Sequence, residues 1–417
     1  MPSHLPAAAA YPHPSVSAPA PGLPPRDPTL DLARVSITLL VIAHHAVLAY
    51  HPYAPPAGTF TRDSLIWGAF PVLDSARATG LDGFTLWNDT YFMAMMFLLS
   101  GLFVPSSLER KGAGAYVRDR LLRLGVPFVV ASAILAPLAY LPAYWLRAEA
   151  TGNPGFWNAW LALGVWPSGP AWFLWVLLGF GGIAAALHAV APRVLAPLHR
   201  LGNACREHPV RACLLLGLGA VLVYLPIAQG VSPFTWFTWG PFTVQTSRIA
   251  LYALYFAFGY ALGTGGGLGA LTAWLAPTAP LARRWWVWQT AAGLVFVGFV
   301  AAFITWLISA GKGTPAPIAG IASTVLFALT GAVTTFALLA GFARWSPRCR
   351  TPIAWLAPQA FGMYLLHYPI VTWLQYLLLP FPLPGLAKAA VVTTTAVLAS
   401  WTTTAALRRL PGFARVL

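Results

Sequence analysis

Arg34 and His45, in the first long apolar segment, have the residue types and the spacing for chemistry inside a membrane. The segment reads LDLARVSITLLVIAHH, and ten residues separate the two side chains. Eleven helical steps of about 100° bring both to within about 20° of one face, roughly 16 Å apart along the axis. Asp31 lies one turn before Arg34 and can pair with it. Because a neutral imidazole can act as a general base near pH 7, this face predicts a proton-transfer site.

A purely structural interpretation of these two residues stays open. Arg34 would then extend its guanidinium to the headgroups of the inner leaflet, and His45 would hydrogen-bond a neighbouring helix. His44 precedes His45 and is expected to point about 100° away from it on a helix.

Tyr364 and His367 form a second pair, one helical turn apart, in the late segment AFGMYLLHYPIV. His367 lies about 11 residues from the inner end of its predicted helix, and His45 lies about 13 residues from the inner end of the first, so the imidazoles are expected at similar depth. Two histidines at one level make a better candidate site than either alone. A metal would need further ligands, which the sequence does not offer, so no metal site is predicted.

Arg120 and Arg123 are three residues apart and are expected on one helix face at the inner membrane surface. Paired guanidinium groups suit a phosphorylated ligand better than lysines do, and anchoring on anionic lipid is the alternative. Upstream, the segment FLLSGLF contains Ser100 and Gly101. This small pair predicts the close approach of a neighbouring helix backbone.

The composition shows what kind of element must hold these residues. Of the 417 residues, 58% are hydrophobic and only 8% are charged, and the mean hydropathy is +0.68. A soluble chain carries about a quarter charged residues, so this composition excludes a soluble enzyme. Disorder over most of the length needs low hydrophobicity and high charge, and a β-barrel needs weak alternating segments. The sequence therefore predicts an all-α polytopic membrane bundle.

The charged residues divide the chain into ten charge-free stretches of at least 19 residues. A helix that spans the hydrocarbon core needs about 20. We therefore predict about ten transmembrane helices, at 32–51, 90–108, 124–145, 171–191, 212–229, 248–265, 286–309, 319–342, 356–379 and 388–407.

The basic residues predict the orientation of these helices. Eighteen lysines and arginines fall on the side of the two termini and six on the other side, so both termini are expected in the cytoplasm of a multi-pass inner (plasma) membrane protein. Much of the net charge of +15 is thus explained by topology, and no nucleic acid partner is predicted. Residues 1–28 include nine prolines and predict a disordered tail, followed by a membrane-embedded domain at 29–410.

Taken in order, these motifs resemble those of the acyltransferase-3 family, integral membrane enzymes that acylate bacterial surface sugars and glucans. The resemblance covers about residues 29–407. It rests on Asp31-x-x-Arg34 with His45, on Ser100-Gly101, on Arg120-x-x-Arg123 with Pro127, on GPAWFLWVLL at 169–178 and on FGMYLLHYP at 361–369.

The resemblance implies roles for the candidate residues. His45 would be the catalytic imidazole and Arg34 its partner on the first helix. Arg120 and Arg123, with Ser100, would serve the acyl-coenzyme A donor, which is a co-substrate and not a tightly bound cofactor. Tyr364 and His367 match further family positions in the catalytic group. The acceptor would be a hydroxyl of a cell-surface or periplasmic carbohydrate, and the acyl group acetyl or succinyl.

Two features depart from the family pattern. Many members have an Asp six residues before Ser-Gly, whereas here Asp89 lies 11 residues before Ser100. The chain also stops about ten residues after its last predicted helix, without the extracytoplasmic hydrolase-like domain that some members append. Direct transfer to the acceptor is therefore expected, or transfer through a periplasmic partner enzyme.

The mechanism needs a hydrogen-bond donor for a developing oxyanion, and Tyr364, His367 or Ser100 are the candidates. The alternative class is a proton-coupled secondary transporter or flippase, since intramembrane arginines and histidines also build proton relays. The sequence has no detectable inverted repeat and no carboxylate deep in a predicted helix, and both features count against that alternative. A third class is a structural or partner-recruiting membrane protein without chemistry.

Overall fold

The computed structural model describes residues 27–416 except 234, 266 and 315. The predicted tail at 1–28 therefore lies outside the described residues, apart from Asp27 and Pro28. The Asp27 carboxylate accepts hydrogen bonds from the main-chain N–H of Thr29 at 2.8 Å and of Leu30 at 3.1 Å. With Pro28 at the first helical position, this cap begins helix α1 four residues before the predicted start.

The described chain folds into an all-α bundle with one small β-hairpin. The first helices are α1 Pro28–Val47, α2 Leu81–Gly101, α3 Val104–Arg120, α4 Val126–Val130, α5 Ala136–Trp145, α6 Phe156–Ala162, α7 Trp172–Val190, α8 Pro192–Glu207 and α9 Pro209–Gly230. The antiparallel strands β1 Trp236–Trp239 and β2 Phe242–Gln245 follow. The remaining helices are α10 Ile249–Gly263, α11 Gly267–Trp274, α12 Pro280–Arg283, α13 Trp285–Gly311, α14 Pro317–Trp345, α15 Arg350–Leu356, α16 Ala360–Leu378 and α17 Gly385–Leu407.

Seven helical segments among the described residues are long and apolar enough to cross a membrane. The predicted class of an all-α membrane bundle is therefore confirmed. The other three helices that coincide with predicted spans are α2, α10 and α16, which are too short or too polar for that criterion. The total of ten spans stays a prediction.

Helix α2 begins well before its predicted start at residue 90. Charged residues served as helix boundaries in the prediction, but Asp82 lies in the first turn of α2, where a negative charge is favourable. Asp89 lies inside the helix and pairs with Arg248. A paired charge need not end a helix, so the predicted boundary is wrong.

The basic segment after α2, which lies between the predicted spans 90–108 and 124–145, is helical. Helices α3, α4 and α5 run on through two π-helical turns at Leu121–Gly125 and Ala131–Leu135. A kink inside α3 occurs at Gly112, whose φ of 73° favours glycine. The stretch after α7, between the predicted spans 171–191 and 212–229, forms α8, which packs against α10.

Glycines allow a very close contact between α2 and α10. A Cβ atom on Gly101 would lie 2.3 Å from the carbonyl oxygen of Phe256, and one on Gly259 would lie 2.1 Å from that of Leu98. Any larger residue would force the helices apart. The predicted close backbone approach at Ser100-Gly101 is thus confirmed.

One end of the bundle, called here the terminal end, consists of the start of α1, residues 346–359 and the end of α17. The hydroxyls of Thr29 and Ser346 share a hydrogen bond at 3.0 Å. Arg408 donates to the carbonyl of Pro358 at 2.7 Å. These contacts bring the first and last helices to the same segment of the chain.

The opposite end, called the loop end, consists of residues 48–80 and the start of α17. Asp74 anchors this loop, because its N–H donates to the carbonyl of Ala49 at 3.0 Å and its carboxylate accepts from Lys388 at 2.6 Å. Both charged side chains are almost completely buried. The loop is therefore tied to α1 and α17.

Candidate functional site

Helices α1 and α16 bring three imidazoles together. The ring centroids of His45 and His367 lie 5.1 Å apart, and those of His44 and His45 lie 5.5 Å apart. His45 also contacts the ring of Tyr368 at 5.2 Å, so it faces the interior of the bundle and not the lipid. The expectation that His45 and His367 share one depth is confirmed, although 322 residues separate them in sequence.

Main-chain carbonyls determine which nitrogen of each imidazole carries the proton. Nδ1 of His45 lies 2.9 Å from the carbonyl oxygen of Val41, and Nδ1 of His367 lies 2.5 Å from that of Tyr364. A carbonyl can only accept, so both neutral rings are protonated on Nδ1 and carry the lone pair on Nε2. Nε2 of His367 is buried without a hydrogen-bond partner. His45 therefore presents a basic nitrogen, held in one tautomer by its own helix.

Gln375 fixes the end of α1 beside this group. Its side-chain amide donates to the carbonyls of His45 at 2.9 Å and Ala46 at 3.0 Å, which belong to the last turn of the helix, where carbonyls lack helical partners. The bond holds the turn that carries His45 against α16. The sequence analysis did not identify Gln375, although a buried amide in an apolar segment was the available signal.

Tyr368 connects the histidines to the loop end. Its hydroxyl donates to the carbonyl of Gly68 at 3.1 Å, and the hydroxyl of Tyr140 donates to the same carbonyl at 2.9 Å. Arg147 is buried and donates to the carbonyl of Pro71 at 2.9 Å; burial lowers the pKa of its guanidinium to about 10. These donors hold residues 65–71 beside the hydroxyl of Tyr368. Neither Tyr368 nor Tyr140 was identified from the sequence.

Arg34 lies toward the terminal end and not next to the histidines. Its guanidinium pairs with Asp31 at 3.1 Å, as predicted, and lies 4.3 Å from the ring centroid of Phe103. The side chain is about half-exposed. It therefore occupies the same helix as His45 but is open to solvent or to a ligand that approaches from the terminal end.

Arg120 and Arg123 differ in their surroundings. The guanidinium of Arg120 stacks 5.1 Å from the ring centroid of Tyr116, and Arg123 is exposed within the first π-helical turn. A π-helical turn lowers the rotation per residue, so the two side chains diverge more than they would on a regular α-helix. Among the described contacts, none joins either arginine to the three histidines.

The three residues predicted as oxyanion donors already use their hydrogens. Ser100 donates its hydroxyl to the carbonyl of Met96 at 2.8 Å, and Tyr364 donates to the carbonyl of Pro170. His367 donates its Nδ1–H to the carbonyl of Tyr364. Each of these groups has one hydrogen to donate, and in this structure that hydrogen bonds to a main-chain carbonyl.

Asp89 and Arg248 form a bidentate ion pair that the sequence analysis missed. The two guanidinium nitrogens lie 2.7 and 2.5 Å from the carboxylate oxygens, and the guanidinium lies 4.8 Å from the ring centroid of Phe327. Asp89 lies about two turns into α2, so the expectation that no helix carries an internal carboxylate is wrong. The pair ties α2 to the start of α10.

The ring of His44 stacks on Phe92, one turn beyond Asp89 on α2. The centroids lie 5.0 Å apart with an interplanar angle of 28°. Nδ1 of His44 is buried and has no hydrogen-bond partner. The ring is thus held by packing, and it differs in this respect from the other two histidines.

Comparison with known protein families gives one match. Residues 27–405 match the acyltransferase-3 family model, which is described as an acyltransferase domain. This range contains all the residues of the site described above. No curated protein and no solved structure matches the chain.

Proposed function

The chain belongs to the acyltransferase-3 family of membrane acyltransferases, and from this premise we propose that it transfers an acyl group from cytosolic acyl-coenzyme A to a carbohydrate hydroxyl. The acyl group would be acetyl or succinyl. The acceptor would be a cell-surface or periplasmic glycan, and His45 would act as the general base.

One observation carries the proposal. His45 faces the interior beside His367, and the bond from its Nδ1–H to the carbonyl of Val41 leaves the lone pair on Nε2. A base must hold a free lone pair in a fixed direction toward the proton that it removes. Packing alone gives no reason for two imidazoles in contact inside an apolar bundle, where polar side chains mark functional sites.

Arg120 and Arg123 suit the donor. Acyl-coenzyme A is polyanionic and cannot enter hydrocarbon whole, so its phosphates would bind Arg120 and Arg123 at the terminal end, which we assign to the cytoplasm. The thin pantetheine arm would pass Arg34, whose side chain is about half-exposed, and bring the thioester to His45. Ser100 would then line the donor path, since its hydroxyl is already bonded within α2.

The reaction transfers the acyl carbon from sulfur to oxygen without net proton release. Nε2 of His45 takes the proton of the acceptor hydroxyl as its oxygen bonds to the thioester carbon, and the carbonyl π pair moves onto the carbonyl oxygen. The electron pair on that oxygen then re-forms the carbonyl double bond, and the carbon–sulfur bond breaks. His45 gives its proton to the leaving thiolate. General-base catalysis of this kind contributes about 10²–10⁴-fold.

The acceptor would approach His45 from the loop end. Tyr368 contacts His45 with its ring and the carbonyl of Gly68 with its hydroxyl, and it packs in one cluster with Phe60, Trp67 and Trp160. Transfer would be direct or through a periplasmic partner enzyme. In this arrangement the protein is a multi-pass inner-membrane protein of about ten spans with both termini in the cytoplasm.

The test compares His45→Ala with wild type in proteoliposomes. We expect loss of at least a hundredfold in coenzyme A thiol release from acyl-coenzyme A with a glycan acceptor, with the acylated product identified by mass spectrometry. His188→Ala, at the end of α7, is the matched control and should keep the wild-type rate. Full activity of His45→Ala would rule out the base. Acceptor flux across liposomes without acyl donor would favour a transporter instead.

A further inference from the structure

We propose that His44, the residue before the general base, donates its ring N–H to the carbonyl oxygen of the acyl group as the tetrahedral intermediate forms. The inference rests on the acyl transfer proposed above and adds a catalytic residue to it. Acyl transfer builds negative charge on that oxygen, and a fixed donor in a water-poor site stabilises it strongly.

The candidate hydrogen-bond donors near His45 are already engaged, except for the ring N–H of His44. The N–H of His45 itself donates to Val41, and the hydrogens of Ser100, Tyr364 and His367 also go to main-chain carbonyls. His44 is different, because its buried Nδ1 has no partner and no described hydrogen bond involves its ring. Among the described side chains in contact with His45, it holds the uncommitted N–H.

The burial of Nδ1 decides which nitrogen of His44 carries the hydrogen. One ring nitrogen of a neutral imidazole carries the hydrogen and the other the lone pair. Nδ1 is fully buried and unpartnered, and an orphaned N–H is rarer in proteins than an under-satisfied acceptor. The hydrogen therefore belongs on Nε2, which is the opposite tautomer to His45. The two adjacent residues of α1 therefore differ: His45 offers a lone pair on Nε2, and His44 offers an N–H on Nε2.

The ring of His44 lies next to that of His45 and is packed against α2. The rings of His44 and His45 lie 5.5 Å apart between centroids at an interplanar angle of 71°, close enough for both to contact one reacting carbonyl group. Phe92 stacks on one flat face of His44. A neutral imidazole is an established type of carbonyl electrophile in enzymes.

Helix α2, which carries Phe92, is fixed firmly to α10. Phe92 lies one turn from Asp89, whose bidentate pair with Arg248 ties α2 to the start of α10. The glycine contacts between α2 and α10 hold the same helices farther along. A donor held before the reaction begins needs no reorganisation when charge develops.

In the reaction, no proton leaves His44. Its Nε2–H bonds to the oxygen while the carbonyl π pair resides there, and that bond weakens again when the pair returns and the carbon–sulfur bond breaks. Proton transfer stays with His45, which takes it from the acceptor and gives it to the thiolate.

The test compares His44→Phe with His44→Gln in proteoliposomes supplied with acyl-coenzyme A and a glycan acceptor. Phenylalanine keeps a flat ring but has no donor, so kcat should fall by about 10²–10³-fold while KM for acyl-coenzyme A changes by less than about threefold. Glutamine keeps an N–H at similar reach and should retain kcat within about tenfold of wild type. His188→Phe serves as the matched control and should keep the wild-type rate.

The outcomes separate this inference from the proposed function. Wild-type kcat in His44→Phe, with His45→Ala inactive, overturns the role of His44 and leaves the base in place. An active His45→Ala removes the proposed function first. Equal loss in both His44 variants indicates a structural role and also overturns the inference. If His44→Phe does not fold, His44→Leu takes its place, and wild-type kcat in His44→Leu overturns the inference.

Discussion

The two ends of the bundle hold their charges in different ways. At the terminal end, the side chains of Arg34 and Asp31 are 43% and 12% exposed. At the loop end, those of Lys388 and Asp74 are 2% and 1% exposed. Water screens the first pair, whereas the second pair is held in a low dielectric and supported by main-chain contacts.

This difference separates charges that can bind a ligand from charges that hold the fold. An exposed guanidinium can exchange water or a carboxylate for a phosphate at little cost, which suits the terminal end to a soluble polyanion. A buried ammonium cannot change its partner without leaving an unpaired charge behind. The loop end is therefore a rigid frame next to the three histidines.

The largest stability effect is expected at the loop end, for Lys388→Met. The change leaves Asp74 buried without its cation, so the free energy of unfolding should fall by about 3–5 kcal/mol. Thermal unfolding of the protein in detergent measures this loss. The double variant Lys388→Met with Asp74→Leu should recover most of it, because an apolar pair replaces the ion pair. A single variant as stable as wild type would contradict the rigid-frame interpretation.

A smaller effect, on donor binding and not on stability, is expected for Arg120→Ala and Arg123→Ala. Each change removes a charge-assisted contact to phosphate worth about 1.5–3 kcal/mol, so KM for acyl-coenzyme A should rise about tenfold or more. KM for the acceptor should stay near its wild-type value, and added salt should weaken donor binding in the same direction.

Arg118→Ala is the matched control for this pair, because Arg118 is exposed on α3 just before Arg120. Its KM for the donor should change little. A larger effect on the acceptor than on the donor, in either of the two variants, would refute the phosphate clamp.

The smallest effect is expected at the terminal end, for Asp31→Asn. Arg34 stays partly solvated when its carboxylate partner is neutralised, so the free energy of unfolding should fall by no more than about 1 kcal/mol. Thermal unfolding side by side with Lys388→Met gives the comparison directly. Equal losses in the two variants would remove the distinction between the ends.

Two predictions from residues close together in sequence are confirmed. The turn between Asp31 and Arg34 produces the predicted ion pair, and Gly101 makes the predicted close contact. The error at the start of α2 has one cause. A charged residue was treated as the end of an apolar helix, but Asp89 has a distant partner in Arg248, and no local pattern contains that information.

In the candidate site, residue type and depth identified some residues, and others were recognised only from contacts between helices. His45, His367 and Tyr364 were found from residue type and depth, since both helices could be counted from one side of the membrane. Gln375 and Tyr368 were missed, because their importance comes from contacts with His45 that cross between helices. The oxyanion donors chosen from residue type give their hydrogens to main-chain carbonyls in this structure, and their role stays a prediction.

The amino-acid sequence alone determined that this protein is an all-α membrane bundle with polar groups placed on the faces of particular helices, because hydrocarbon leaves the backbone few other choices and helical geometry relates near neighbours. Only the tertiary structure decided which imidazoles meet, which nitrogen of each is basic and which charges are buried. Those properties depend on hydrogen-bond partners and burial contributed by helices that are hundreds of residues apart in the chain.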